Sequence, residues 1–392
     1  MKSKLIYTSA LALALLATAC SSESELVQDI QGGNRTLTFA ISTPTGEKVS
    51  YSRAPLHDEP EYAIKSLTLY EYEINNGTSS LSRVMKYPDG KGRDVINPES
   101  DGKGGYTFSI IVPAANDGKT YSYSFVANDD TTDPTVGSSA ESFRDTMKAA
   151  IKLSEPQLEE SEENTTLTTL TADILADPDK GIAMSGEATY NGSTEITMSE
   201  GITCKVNLTR IVARVDIKYS TPNLKLTKVE LRGAPKSGYL FAQKGEGNTT
   251  TIPSYEESEY LVMQLNKNVT LPADYLKNTD DITTVELRKA FYLYERTNTI
   301  SEGEDATYNG ASVYIEYDVN ANGETYKGKL DIPFRSTSSD NKCVDIRRNT
   351  LYTILLGNGD DPISGVVSAK LIVDEWNSID IDEPLTDEDK EY

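Results

Sequence analysis

Apolar and polar residues alternate with a period of two along much of the chain. Leu37, Phe39 and Ile41 alternate with Thr38, Ala40 and Ser42, and Tyr121, Tyr123 and Phe125 with Ser122, Ser124 and Val126. Val313, Ile315 and Tyr317 share one face of a third run, and Leu371 and Val373 continue the pattern near the end. Successive side chains of an extended backbone point to opposite faces, so this alternation predicts half-buried strands. Between the runs stand Asn76-Gly77, Asp89-Gly90, Asp117-Gly118, Asn191-Gly192, Asn309-Gly310 and Asn322-Gly323. Asn-Gly and Asp-Gly accept the positive φ angles that tight hairpins need. One segment departs from the pattern. Over 140–153, Phe143, Met147 and Ile151 recur at four-residue spacing beside Ala150, which predicts one amphipathic helix lying on a sheet. A long strand is predicted from Val206 through Leu208, Ile211, Val212 and Val215 to Ile217. The expected fold class is all-β, with a minor helix in the first half. Each half holds enough short strands for a sandwich or barrel, and the boundary is set at 204.

Composition strengthens the β reading. The chain has 392 residues, of which 25% are charged and 37% hydrophobic, which suits folded domains rather than disorder. It carries 23 Tyr but one His and one Trp. Tyr and Thr fit a pleated, half-buried surface. The formal net charge of -23 argues against nucleic acid as a partner, because phosphate binding needs clustered Lys and Arg. The acidic stretch 155–163 reads as a solvated loop.

The N-terminus reads as an address. Lys2 and Lys4 precede an apolar core formed by Leu5, Ile6 and residues 10–17, too short for an ordinary membrane helix. Small residues Ala17, Thr18 and Ala19 lead to Cys20. Residues 1–19 resemble a bacterial lipoprotein signal, with Cys20 as the lipidated new N-terminus. Ala17 stands where most such signals carry Leu. A plain secretory signal followed by a coincidental Cys is the alternative. Ser21-Ser22-Glu23-Ser24-Glu25 is similar to the tether that sends lipoproteins of the Bacteroidetes to the cell surface. The rest of the chain has no apolar run long enough to cross a bilayer as a helix. Cys204 and Cys343 remain, either paired in an oxidising compartment or unpaired.

Catalytic signatures are scarce. His57 is the single His, so neither a two-His metal site nor a His-based triad can form within one chain. There is no CxxC, no HExxH and no phosphate-cradling loop, since the glycines of 102–105 lack the Lys-Ser/Thr ending. Asn128, Asp129, Asp130 and Asp133 carry Ca²⁺-type oxygens, but the EF-hand spacing and closing Glu are absent, and a solvated loop is the plainer reading. No cofactor and no metal are expected. A pair of carboxylates meeting only in space would escape sequence reading.

Five phrases resemble the fimbrillin family of Bacteroidetes, the major subunits of type V pili. They are Met184-Ser185-Gly186 followed by VNLTRIVARVD at 206–216; FYLYE at 291–295; Arg348-Asn349 with Tyr352; Val373, Asp374 and Trp376; and Ser52-Arg53-Ala54. In order, behind a lipoprotein signal, they span most of the chain. The resemblance implies two transthyretin-like β-sandwich domains in tandem, 54–203 and 204–392, behind a propeptide of residues 20–53. It also implies cutting after Arg53, so that the mature chain starts at Ala54. Without the resemblance, Arg53 would read as an ordinary surface arginine.

Such a cut would remove the apolar strand Leu37-Phe39-Ile41. A lost strand leaves apolar pockets and unpaired backbone groups, which a strand from another subunit can refill. The expected donor is the C-terminal segment, with Val367, Ala369, Leu371 and Val373 on one face and then Ile379 and Ile381. In the uncut chain this segment is expected to pack as the last strand of its own domain. A groove and a donor at opposite ends of one chain give a head-to-tail contact that builds a filament. The expected function is therefore a non-enzymatic stalk or tip subunit of a fimbria that supports adhesion. It would be lipid-anchored in the outer membrane before cleavage and extracellular afterwards. Its partners would be other fimbrial subunits and a host or bacterial surface glycan or protein. The alternatives are a pilus anchor, or a non-polymerising surface lipoprotein that binds glycans on stacked Tyr rings.

Overall fold

The computed structural model describes residues 34–43, 61–91, 94–100, 105–150, 179–219, 224–245, 249–264, 285–301, 307–321, 324–336, 342–357 and 369–375. Ten strands make up the N-terminal half. They are β1 (Asn34–Ser42), β2 (Leu67–Asn75), β3 (Thr78–Tyr87), β4 (Glu99–Ser100), β5 (Gly105–Pro113), β6 (Thr120–Ala127), β7 (Met184–Thr189), β8 (Ile196–Thr197), β9 (Thr203–Asn207) and β10 (Thr209–Arg210). Eight follow the path β3-β2-β6-β7-β9-β1-β5-β4, with β10 on β7 and β8 on β6. β7 joins the two faces: Met184 to Glu187 pair with β6, whereas Ala188 and Thr189 pair with β9. The curled sheet closes over a core that includes Leu37, Phe39, Ile41, Phe108, Ile110, Tyr123, Phe125, Cys204 and Val206. Asn76 (φ 52°) and Gly77 (φ 76°) turn the β2–β3 hairpin, and Asn191 (φ 50°) and Gly192 (φ 83°) turn the chain after β7. Asn322-Gly323 lies outside the described residues.

The C-terminal half begins with β11 (Val212–Tyr219) and continues with β12 (Leu224–Pro235), β13 (Gln243–Lys244), β14 (Thr250–Thr251), β15 (Tyr260–Gln264), β16 (Val285–Tyr294), β17 (Thr299–Ile300), β18 (Tyr308–Asn309), β19 (Ser312–Ala321), β20 (Glu324–Pro333), β21 (Thr350–Leu356) and β22 (Ala369–Glu375). Two four-stranded sheets, β16-β11-β21-β22 and β15-β12-β19-β20, enclose one core. Val215, Ile217, Phe291, Leu293 and Ile354 come from one sheet and Val229, Leu231, Val313 and Ile315 from the other. The all-β expectation is met, and the predicted face Val313, Ile315 and Tyr317 is buried on β19.

Two elements differ from the sequence reading. The predicted helix over 140–153 is only α1 (Ala140–Thr146), capped by the Ser139 hydroxyl, which accepts from the Ser142 N–H at 3.0 Å. Its apolar spacing would have allowed another turn. Instead the chain leaves the helix to pair with residues 238–240: the Leu240 N–H donates to the Met147 carbonyl at 3.0 Å and the Ala149 N–H to the Gly238 carbonyl at 2.8 Å. Ile151 lies outside the described residues. The predicted single strand from Val206 to Ile217 is three. Val206 sits on β9 in the first sheet, and Val215 and Ile217 sit on β11 in another, so the chain changes sheets between them. Cys204 pairs with Phe39 of β1, and its neighbours Lys205 and Val206 pair with β7, so it lies in the N-terminal sheet.

The halves share a core. The outer face of β2 and β6 presents Tyr70, Tyr72 and Val126 to the same cluster that holds Phe143, Phe241 and the second-half residues. Ring centroids lie 4.5 Å apart for Tyr70 and Phe143 and 5.4 Å apart for Phe143 and Phe241. This explains why Ser122, Ser124 and Val126, on the face of β6 opposite Tyr121, Tyr123 and Phe125, are buried as well.

Candidate assembly site

β1 runs between β5 and β9. All nine of its residues pair antiparallel with β5, from Asn34 opposite Pro113 to Ser42 opposite Gly105. Thr38 to Ser42 also pair in parallel with Thr203 to Asn207 of β9. The Thr38 N–H donates to the Ile202 carbonyl at 3.1 Å, and the Leu208 N–H donates to the Ser42 carbonyl at 2.9 Å. A strand held on both sides leaves two rows of unpaired N–H and C=O groups if it is withdrawn.

The inward face is apolar. Leu37, Phe39 and Ile41 are 2%, 0% and 3% exposed. The Phe39 ring centroid lies 5.2 Å from Phe108, 5.1 Å from Tyr123 and 5.2 Å from Phe125. At about 1.5–3 kcal/mol for each buried side chain, the three contribute roughly 5–9 kcal/mol. Burial in this core raises the Tyr123 hydroxyl well above its ordinary pKa and pushes the Cys204 thiol up to about 11. Both therefore stay neutral in the working range, as an apolar slot requires.

The outward face is small and polar. The Thr38 and Ser109 hydroxyls lie 2.9 Å apart, and the Ser42 hydroxyl donates to Asn207 Oδ1 at 2.7 Å. At the strand's start, Arg35 donates to both carboxylate oxygens of Asp117, through Nε at 3.2 Å and Nη2 at 2.8 Å, and approaches Glu200 at 3.6 Å. The hydrogen bond from Arg35 holds the Asp117 carboxyl below the usual carboxylate range. In solvent such a pair adds little stability but favours one register. The slot's demands are thus three pockets and two backbone ladders.

Leu37, Phe39 and Ile41 were singled out from sequence and come together here. The wall residues Phe108, Tyr123 and Phe125 were not assigned to the slot. Tyr123 and Phe125 were legible as one strand face, but nothing in the chain announces the parallel pairing with β9. Of the expected donor residues, Ala369, Leu371 and Val373 lie on β22, an edge strand paired antiparallel with β21. Leu371 is buried at 8% exposure, opposite Ile354, whereas Ala369 is exposed and Val373 is 44% exposed, opposite Tyr352. The tail is therefore seated in its own sheet, with one inward anchor. Val367, Ile379, Ile381 and Trp376 lie outside the described residues, as do Cys20, His57, Arg53 and Ala54. Arg53 falls in the connection between β1 and β2, since β1 ends at Ser42 and the chain is next described from residue 61.

Other candidates do not converge. Among the described residues no three His, Cys, Asp or Glu side chains come together to hold a metal ion. The polar groups of the loop at 128–133 already have partners. Asn128 Oδ1 accepts from the Lys65 and Ser66 N–H groups, Asp129 accepts from Thr131 and from the Ala150 N–H, Lys180 donates to Asp130, and Lys86 pairs with Asp133. Burial raises the Asp129 carboxyl above the ordinary range. Cys204 and Cys343 are separate free thiols. A crevice of about 400 Å³ beside α1 is lined by Glu141, Arg144, Asp145, Glu195 and Lys244 without an aromatic ring, so it offers sugars no stacking platform. Tyr70, Tyr72, Tyr121, Tyr123, Tyr292, Tyr294 and Tyr352 are buried in the cores.

No family model matches the chain, and no curated protein sequence matches it. Solved structures do. The tip fimbrial protein Mfa3 of Porphyromonas gingivalis, C-terminally truncated, is 15% identical, with a TM-score of 0.48 over 88% of this chain and 100% of that one. A candidate cell-adhesion protein of Parabacteroides distasonis is 14% identical, with a TM-score of 0.45 over 87% of this chain and 97% of that one. The fimbrial anchor protein Mfa2 of Porphyromonas gingivalis is 10% identical, with a TM-score of 0.31 over 87% and 98%. These three structures are of two fimbrial proteins and a candidate cell-adhesion protein.

Proposed function

We propose that the chain is a non-enzymatic subunit, stalk or tip, of a cell-surface fimbria that supports adhesion. Its two halves serve as tandem transthyretin-like β-sandwich domains. It is exported as a lipoprotein through Cys20, which anchors it in the outer membrane. It is cut after Arg53 and polymerises when the C-terminal segment of one copy enters the slot of the next. One observation carries this reading: β1 is a doubly paired strand with a buried inward face, Leu37, Phe39 and Ile41, and its connection to β2 runs through the segment that holds Arg53. A single cut there separates β1 from the other described strands without breaking any of them.

The donor is the better placed of the two strands to move. β22 lies at an edge and buries Leu371, whereas β1 buries three apolar residues between two neighbours. Moving Leu371 and Val373 into the vacated pockets increases the apolar surface removed from water. The incoming backbone satisfies both exposed ladders by β-augmentation. A donor segment towards the end of the chain and a slot near its start make the contact head-to-tail, which extends without closing.

The test is digestion of the purified chain with an Arg-specific protease, followed by electron microscopy and N-terminal sequencing. The expected product is a filament whose subunits begin at Ala54. A compact monomer that has lost β1 yet keeps its tail on its own β21 overturns the proposal.

A further inference from the structure

Three of the phrases singled out in the sequence, 184–186 with 206–216, 291–295 and 348–352, meet at the junction of the two halves, around a residue the sequence did not single out. Glu61 is 2% exposed. Its carboxylate accepts from Arg214 Nη1 at 3.3 and 3.2 Å and from the Tyr292 hydroxyl at 2.7 Å. Arg214 is held in turn by Asp216, through Nε and Nη2 at 2.8 Å each. Arg210 donates to the Glu61 backbone carbonyl at 2.6 Å and to Asn349 Oδ1 at 3.0 Å. Beside this cluster Arg348 donates to Glu295 and to the carbonyls of Tyr239 and Leu240, and Ser185 donates to the same Leu240 carbonyl. Arg210, Arg214, Asp216, Tyr292, Glu295, Arg348 and Asn349 all come from the quoted phrases.

Residues 61–66 form no strand, yet they are tethered along their length. Asn128, at φ 58°, donates through Nδ2 to the Ala63 carbonyl at 2.8 Å and accepts at Oδ1 from the Lys65 and Ser66 N–H groups at 2.7 and 3.2 Å. The Ile64 N–H donates to the Tyr106 hydroxyl at 3.2 Å, and the Ile64 side chain is buried. Of these partners only Tyr106 belongs to a strand that pairs with β1. Glu61 is held from β10, β11 and β16, and Asn128 follows β6.

We propose that Glu61 is a fixed anchor. Gripped by Arg210, Arg214 and Tyr292, it ties the start of the N-terminal half to the C-terminal half and keeps residues 61–66 in place independently of β1. Buried charges of this kind are stable only as a complete set, because removing one member leaves an uncompensated charge in a dry site. The anchor therefore makes residue 61 the limit of what a cut upstream releases. The slot vacated by β1 keeps its walls, and the two halves keep their mutual orientation. Only this last consequence rests on the function proposed above, since the grip on Glu61 exists in the uncut chain.

Hydrogen–deuterium exchange read by mass spectrometry tests it. In the uncut chain the amides of Ile64, Lys65 and Ser66 are expected to exchange at least about 100-fold slower than an unstructured peptide. Glu61→Gln should speed them at least about tenfold while leaving the β19–β20 hairpin unchanged. Digestion at Arg then removes β1, and the same amides of the wild-type chain should change by less than about threefold. Unprotected amides in the uncut wild-type chain, unchanged exchange in Glu61→Gln, or loss of protection once β1 leaves each overturns the anchor. Should Glu61→Gln not fold, Tyr292→Phe keeps the ring and removes one bond. A rise confined to 61–66 supports the anchor, and no rise overturns it. Failure to cut at Arg53, or to form filaments, bears on the proposed function and leaves the uncut comparison decisive for the anchor.

Discussion

Replacing Phe39 by alanine tests the slot at its centre. The ring is fully buried and lies within about 5 Å of Phe108, Tyr123 and Phe125, which are fixed by neighbouring strands and cannot collapse into the space it leaves. A Phe-to-Ala change at such a site costs about 3–5 kcal/mol, the lost transfer energy plus the cavity. With a urea m-value near 2 kcal/mol/M, the unfolding midpoint of the N-terminal half should fall by about 1.5–2.5 M. The control is Thr38→Ala on the outward face, which removes one hydroxyl contact to Ser109 and should cost no more than about 1 kcal/mol. Near-ultraviolet circular dichroism of the tyrosines follows the transition of the uncut chain. A midpoint shift below about 0.5 M for Phe39→Ala, or an equal shift for Thr38→Ala, refutes the assignment of these faces. Once the chain has been cut and β1 removed, the variant and the wild type should superimpose, because the altered residue has gone.

Two further outcomes follow from the geometry. On β12, burial disfavours ionisation of Glu230, but hydrogen bonds from Lys228 and Arg232 outweigh it and hold the carboxyl below its ordinary range. A lowered folded-state pKa contributes stability above the ordinary carboxylate value and loses it as pH falls through the folded value. Glu230→Gln should therefore cost up to about 1 kcal/mol at pH 7 and close to nothing once both states are protonated, and an equal urea-midpoint loss at the two pH values would refute the linkage. At Gly186 an added Cβ would run into the carbonyl oxygen of Asn207, which belongs to backbone and cannot swing away. Gly186→Ala should destabilise the chain by about 1–3 kcal/mol in the same urea assay, and an unchanged midpoint would refute the close approach of β7 to residue 207.

What the sequence made legible was local. The triad Leu37, Phe39 and Ile41 was readable because one face of β1 is apolar and the other small or polar, so the alternation is clean. β6 was half readable: its second face is covered by α1 and by the C-terminal half, and a residue such as Ser124 carries no mark of that cover. The helix was overestimated because Met147 keeps the helical spacing, yet its backbone carbonyl is claimed by Leu240, far along the chain. The strand through Val206 and Ile217 was misjoined because apolar alternation continues across the passage from one sheet to the next. Glu61 was illegible. It follows Asp58 and Glu59 in a stretch that reads as solvated, and its burial depends on Arg214 and Tyr292 from distant strands. Arg210, Arg348 and Asn349 were noticed only through the family resemblance, and geometry gives them a place at the junction between the halves.

The covalent connection of β1 explains why a cut is needed under the proposed function. While residues 44–60 tether β1 to the fold, it competes for its own slot at an effective concentration of the order of millimolar. A donor strand from another copy at micromolar concentration is then disfavoured about a thousandfold, or roughly 4 kcal/mol, even if it fits the pockets equally well. Under the proposed function, that handicap would keep the precursor monomeric without any defect in the donor. Cleavage removes the tether, so the released strand and the incoming tail compete on equal terms. The tail then brings the attachment of a whole subunit, and each added subunit presents a further tail. Such a switch needs a slot that survives the departure of its strand. The curled sheet supplies one wall through β5 and the other through β9, and β9 is fixed to β7 and hence to the junction.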